Sequence, residues 1–119
     1  MIETDATQVR AAVLADYEAA IGGLPVNTRD WLRAHLIPPR PIELARRTSG
    51  ENTEQFWLIT DHNGREDASF RIVFDEREKR YGIECTIMNN ISLFAGYRAS
   101  LADAVADIKA QIAAGVSRR

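Results

Sequence analysis

From Asp5 to Ile21 the apolar positions Val9, Ala12, Val13, Tyr17, Ala20 and Ile21 recur at intervals of three and four residues, a stripe that predicts an amphipathic helix. Asp5 can cap its start while Gln8 reaches back, and Gly22-Gly23 followed by Pro25 stops it. Asn27 or Thr28 then caps a shorter helix carrying Trp31, Leu32, His35 and Leu36. This helix must end before Pro38-Pro39, because a proline disfavours helical backbone in the residue preceding it. Pro38-Pro39-Arg40-Pro41 reads as a rigid extended connector, Ile42 to Ala45 takes no assignment, and the polar run Arg46 to Glu54 reads as a loop.

The period then changes. Gln55–Thr60, Ala68–Phe74, Tyr81–Met88 and Ile91–Tyr97 are rich in aromatic and β-branched residues and are separated by turn chemistry, which predicts four strands. Asn63-Gly64 supplies the two positive-φ positions of a type I′ hairpin turn, and Asn89-Asn90 is a weaker form of the same signal. Between them the charged run Asp75 to Arg80 reads as a longer solvated loop. After Tyr97, Ser100 caps a last helix with the apolar stripe Leu101, Ala104, Val105, Ile108 and Ile112 and with Asp103 in its first turn. The expected fold is therefore α+β: two N-terminal helices, a four-stranded antiparallel β-meander and a C-terminal helix, in one domain spanning residues 1–119.

A register follows for the central hairpin. With Phe74 opposite Tyr81, Ile72 faces Ile83, Phe70 faces Cys85, Arg71 faces Glu84 and Asp75 faces Arg80, which aligns an apolar row and two opposite-charge pairs at once. As an exposed pair, Arg71 and Glu84 would contribute only ~0–1 kcal/mol. A two-residue turn at Asn89-Asn90 would place Met88 opposite Ile91 and Thr86 opposite Leu93, on the face away from Ile83 and Cys85. Both faces of the sheet are then partly apolar, and the second needs a helix, a partner or a ligand over it.

Composition narrows the function classes. Of 119 residues, 45% are hydrophobic and 27% charged, an ordinary globular balance that can form a core without disulfides or a structural metal. Fifteen Lys and Arg among seventeen Asp and Glu leave a net charge of −2, without the sustained basic field that phosphate neutralisation requires, so no nucleic-acid partner is expected. A helix, a meander and a final helix also describe the double-stranded-RNA-binding layout, but Ser100 to Asp103 stands where that module carries phosphate-gripping lysines. The single cysteine, Cys85, fits a reducing compartment. The acidic, polar N-terminus has no signal-peptide pattern, and no apolar run is long enough to span a bilayer; a cytoplasmic protein without membrane contact is the expectation.

The chemistry-bearing residues are few. Asp61 to Asp67 gathers carboxylates around His62, but the spacing is not that of a calcium loop and the Asn-Gly pair accounts for it as a hairpin tip. His35 has no second ligand at metal spacing and reads as a partly buried structural histidine. Cys85 lies between Ile83 and Ile87 and reads as a buried, inert thiol. There is no nucleophile elbow, dinucleotide fingerprint, P-loop or zincin motif, and neither a catalytic residue, a metal ligand nor a cofactor is assigned. By elimination the expected function is a non-enzymatic protein-interaction module that self-associates as a homodimer through Met88, Ile91 and Leu93. The alternative is a small-molecule-binding or catalytic domain with a pocket between helices and sheet, drawing on Trp31, His35 or Tyr97.

Overall fold

The computed structural model describes residues 6–45, 53–60, 69–87 and 91–117. Two helices, α1 (Ala6–Ile21) and α2 (Val26–His35), precede the strands β1 (Leu36–Ala45), β2 (Thr53–Thr60), β3 (Ser69–Asp75), β4 (Arg80–Ile87) and β5 (Ile91–Arg98), and α3 (Leu101–Ser117) follows. The sheet has five strands rather than four. The added strand is β1, built from the prolines expected as a connector and from the unassigned Ile42–Ala45. Prolines break strand periodicity because they cannot donate to a ladder; Pro38 and Pro39 fall where β1 is irregular, whereas Pro41 sits in the regular ladder opposite Trp57. Leu36 pairs with Thr60 and Arg40 with Leu58, so Pro38 and Pro39 lie in a bulge.

Consecutive strands pair antiparallel. With an odd number of strands the first and last run in the same direction, and they meet as a parallel pair at Ala45 and Leu93 to close a barrel. Closure accounts for the unbroken burial from Phe56 to Thr60, which alternation with one solvated face would forbid. Phe56 and Leu58 turn inward with Leu44, Val73 and Phe94. Trp57 and Ile59 turn outward with Ile72, Phe74, Tyr81 and Ile83, and Val9, Val13, Leu32, Leu101, Val105 and Ile108 of the helices cover them. The second apolar face is thus covered by the sheet itself.

Inside the barrel Phe94 stacks on Phe56, with centroids 4.5 Å apart, and meets the edge of Tyr97 at 4.9 Å. A bulge in β5 brings Phe94 there: Gly82 pairs with Tyr97 but Glu84 with Phe94, and Gly96 takes the extra turn at φ 102°. The Arg98 guanidinium donates to the carbonyls of Gly96 and Tyr97 at 3.2 and 3.1 Å and to Asp107 of α3 at 2.7 Å, pinning the bulge to the helix. Phe94 occupies the space a side chain at residue 82 would need.

The β3–β4 register is the expected one throughout, from Phe70 opposite Cys85 to Asp75 opposite Arg80. Its Arg71–Glu84 pair is nevertheless not exposed. The pair shares the inward face with Val73, so the Arg71 side chain is 13% exposed, that of Glu84 is 0% exposed, and Nε donates to Oε1 at 2.7 Å. The Asp75-to-Arg80 connection is a tight turn over Glu76–Lys79, with Lys79 at φ 55°, rather than a long loop. In β4–β5 the register differs from expectation by one residue. Ile87 pairs with Ile91 and Cys85 with Leu93, so the connection spans residues 88–90 and Leu93 joins Cys85 on the outer face.

The helix starts differ too. Pro25, not Asn27 or Thr28, occupies the cap of α2, where its fixed φ suits the entry and its carbonyl accepts from the Arg29 N–H at 2.9 Å. Ser100 does cap α3, its Oγ accepting from the Asp103 N–H at 3.1 Å. The Asp5 cap, the Asn63-Gly64 hairpin with His62, and Met88 lie outside the described residues.

Two expectations follow from the barrel interior. Gly82→Ala would set a Cβ 2.8 Å from Phe94 Cζ and 2.9 Å from the Gly96 carbonyl oxygen, so chemical denaturation should show a loss of about 1–3 kcal/mol. Arg71→Met leaves the Glu84 carboxylate buried without its guanidinium and should cost about 3–5 kcal/mol, whereas adding Glu84→Leu should recover most of that loss. A double variant as unstable as the single one would contradict a buried pair.

Candidate functional site

Trp31 and His35 stack on each other along α2, with centroids 4.6 Å apart, and Trp31 packs against the outer core. Tyr97 packs against the inner core, with its hydroxyl donating to Asp75 at 2.6 Å. The sheet separates them, so these three residues do not form one pocket. Of the expected interface residues, Leu93 is half-buried, and the side chains of Met88 and Ile91 fall outside the described set. Cys85 is half-buried rather than buried; its burial, and then the Glu84 carboxylate, push the thiol pKa up, which works against thiolate chemistry.

A cavity does lie between helices and sheet, at another place. It holds about 410 Å³ and is walled by Asp16, Ala19 and Ala20 of α1, by Lys79, Arg80 and Tyr81 of the β3–β4 hairpin, and by Ala99 to Ala102 at the start of α3. That volume is in the range of small-molecule sites. A second crevice, between α1 and the prolines of β1, holds about 120 Å³ and is lined largely by Val13, Leu14, Leu36 and Ile37. Its volume is below that range.

Each wall of the larger cleft has a local cause. Val9, Val13 and Asp16 stand at i, i+4 and i+7 along one face of α1, so the packing of the two buried valines brings Asp16 to the hairpin while it stays exposed at the edge of the core, and Ala19 lies to its side. Asp75 shapes the hairpin wall: its buried carboxylate accepts from the backbone N–H of Arg77 at 3.0 Å and of Glu78 at 3.4 Å, and from Arg77 Nε at 3.0 Å. Arg80 lays its guanidinium over the Tyr97 ring, 4.2 Å from the centroid. Tyr81 faces outward and donates its hydroxyl to Asp16 Oδ2 at 2.6 Å, tying the α1 wall to the hairpin wall.

The electrostatics favour recognition over proton transfer. Burial, and then the Asp16 carboxylate, push the Tyr81 phenol far above its ordinary pKa, so it stays a neutral hydrogen-bonding group. Burial alone would raise the Asp75 carboxyl, but the bonds from Tyr97 and Arg77 outweigh it and hold the pKa below the usual carboxylate range. The cleft is therefore lined by the Asp16 carboxylate, the Lys79 ammonium, the Arg80 guanidinium held over Tyr97, a neutral phenol and the Ser100 hydroxyl among small alanine walls. Sequence reading missed Asp16, Lys79 and Ser100 as a group. Asp16 resembles any solvated helix residue until the fold brings it to Tyr81, sixty-five positions away.

Neither a protein-family model, nor a curated protein, nor a solved structure matches the chain. Among the described residues, no helix is long and apolar enough to cross a membrane.

Because the folded-state pKa of Asp75 is depressed, its contribution to stability is complete above the unfolded carboxylate range and is lost as pH falls through the folded value. Denaturation at neutral pH should show Asp75→Asn less stable by about 1–3 kcal/mol, with the gap to the parent narrowing under acid conditions. A gap that stays constant across that range would remove Asp75 from this role.

Proposed function

We propose that this domain binds a small polar molecule in the cleft between α1, the β3–β4 hairpin and α3. The observation supporting it is the cavity of about 410 Å³ at which three separate elements place Asp16, Lys79, Tyr81 and Ser100. Concavity with a few convergent polar groups is the usual form of a ligand site, and a wall made of alanines leaves room beside them. The expectation of self-association rests on surplus apolar surface of the sheet. That motive weakens once the barrel interior takes up Phe56, Leu58, Val73 and Phe94.

The test is a fragment screen followed by amide chemical-shift mapping. Hits should shift resonances of α1 around Ala19, of the hairpin around Arg80 and of the α3 start together. Ala20→Trp, which fills the cleft from a half-buried helix position, should abolish those shifts while leaving the circular-dichroism spectrum unchanged. Shifts that survive Ala20→Trp, or that map elsewhere, would refute the reading. Sedimentation of the same sample reports whether the chain self-associates.

A further inference from the structure

Resting on that cleft reading, we infer that its ligand is amphoteric: a small molecule with a cationic group held by Asp16 and an anionic group held by Lys79. The two charges come from different elements, the exposed Asp16 from α1 and Lys79 from the hairpin turn, and both line the same cavity. Tyr81 occupies one oxygen of the Asp16 carboxylate, which accepts through Oδ2, so Oδ1 can receive an ammonium.

Lys79 and Arg80 both line the cleft; because the Arg80 guanidinium is already engaged over the Tyr97 ring, Lys79 is the cation assigned to the ligand's anionic group. The start of α3 does not by itself call for an anion, since Asp103 already answers the positive end of the helix. Ser100, whose Oγ accepts from the Asp103 N–H, still has its hydroxyl proton to donate to a carboxylate or phosphate oxygen.

A ligand with a single negative charge would meet the uncompensated Asp16, and one with a single positive charge would meet Lys79. A molecule carrying both satisfies each wall, and like-charge repulsion disfavours the mono-ionic analogues. The alanines at 19, 20, 99 and 102 leave space for a short aliphatic link between the charged ends.

The probes are the ω-amino acids from glycine to 6-aminohexanoate, with the carboxylates and amines of the same chain lengths, followed by amide chemical-shift titration of the whole chain at low salt. At least one ω-amino acid should bind in the cleft about three- to tenfold more tightly than both mono-ionic partners, with the preference shrinking as salt is added. Asp16→Asn keeps an oxygen for Tyr81 but should erase the advantage over the carboxylate. Lys79→Gln should erase the advantage over the amine.

Equal binding of the amino acids and their mono-ionic partners would overturn the amphoteric class while leaving the cleft reading in place. So would silence from the whole series when fragments still perturb the cleft. Cleft shifts from neither the series nor the fragments would overturn both.

Discussion

Apolar side chains on both faces of an antiparallel sheet impose a requirement that helices on one side cannot meet. Three helices cover the outward residues from Trp57 to Ile83, and nothing remains in the helical inventory for Phe56, Leu58, Val73 and Phe94. Curling the sheet until β1 meets β5 resolves this, because each strand then covers the inward face of the others. The bulges follow from the same requirement. One lets Pro38 and Pro39 enter β1, and the other swings Phe94 over Gly82, where the absence of a side chain makes room for its ring.

Closure also changes the meaning of the charged residues. Arg71, Glu84 and Asp75 look like solvated strand residues in a flat sheet, but in a barrel they point inward. Each carries its compensation with it: Arg71 and Glu84 hold each other, while Asp75 takes Tyr97, Arg77 and the turn amides. Asp75 thereby shapes the hairpin that forms one wall of the cleft, so a buried group in the barrel supports a surface feature on the outside.

How far the fold could be read in advance depended on how local its signals were. The β3–β4 register was legible because its apolar row and both charge pairs fall on adjoining segments, and a one-residue slip would lose them together. The fifth strand is hidden by Pro38, Pro39 and Pro41, which count against a strand, although the first two lie in a bulge and Pro41 pairs with Trp57 in the ladder. The β4–β5 register is not legible because Asn89-Asn90 resembles a two-residue turn, while the pairing of Ile87 with Ile91 leaves three residues between the strands. The cleft was legible only as an idea of a pocket between helices and sheet. Trp31, His35 and Tyr97 stand out in the sequence as large side chains, whereas Asp16, Lys79 and Ser100 acquire meaning only where segments far apart in the chain line one cleft.

The parallel contact of Ala45 with Leu93 has a kinetic side. Every other strand pair joins chain neighbours, so each can form as a hairpin at a small cost in loop entropy, and the order of their formation is weakly constrained. The closing pair instead joins the first strand to the last, and the chain between them must already be curved for it to form. Until then the Phe56–Phe94 stack has one partner on each side of an open seam. The seam is therefore the strand pairing that spans the most chain, and it is the pairing whose closure shields the interior aromatic rings from solvent.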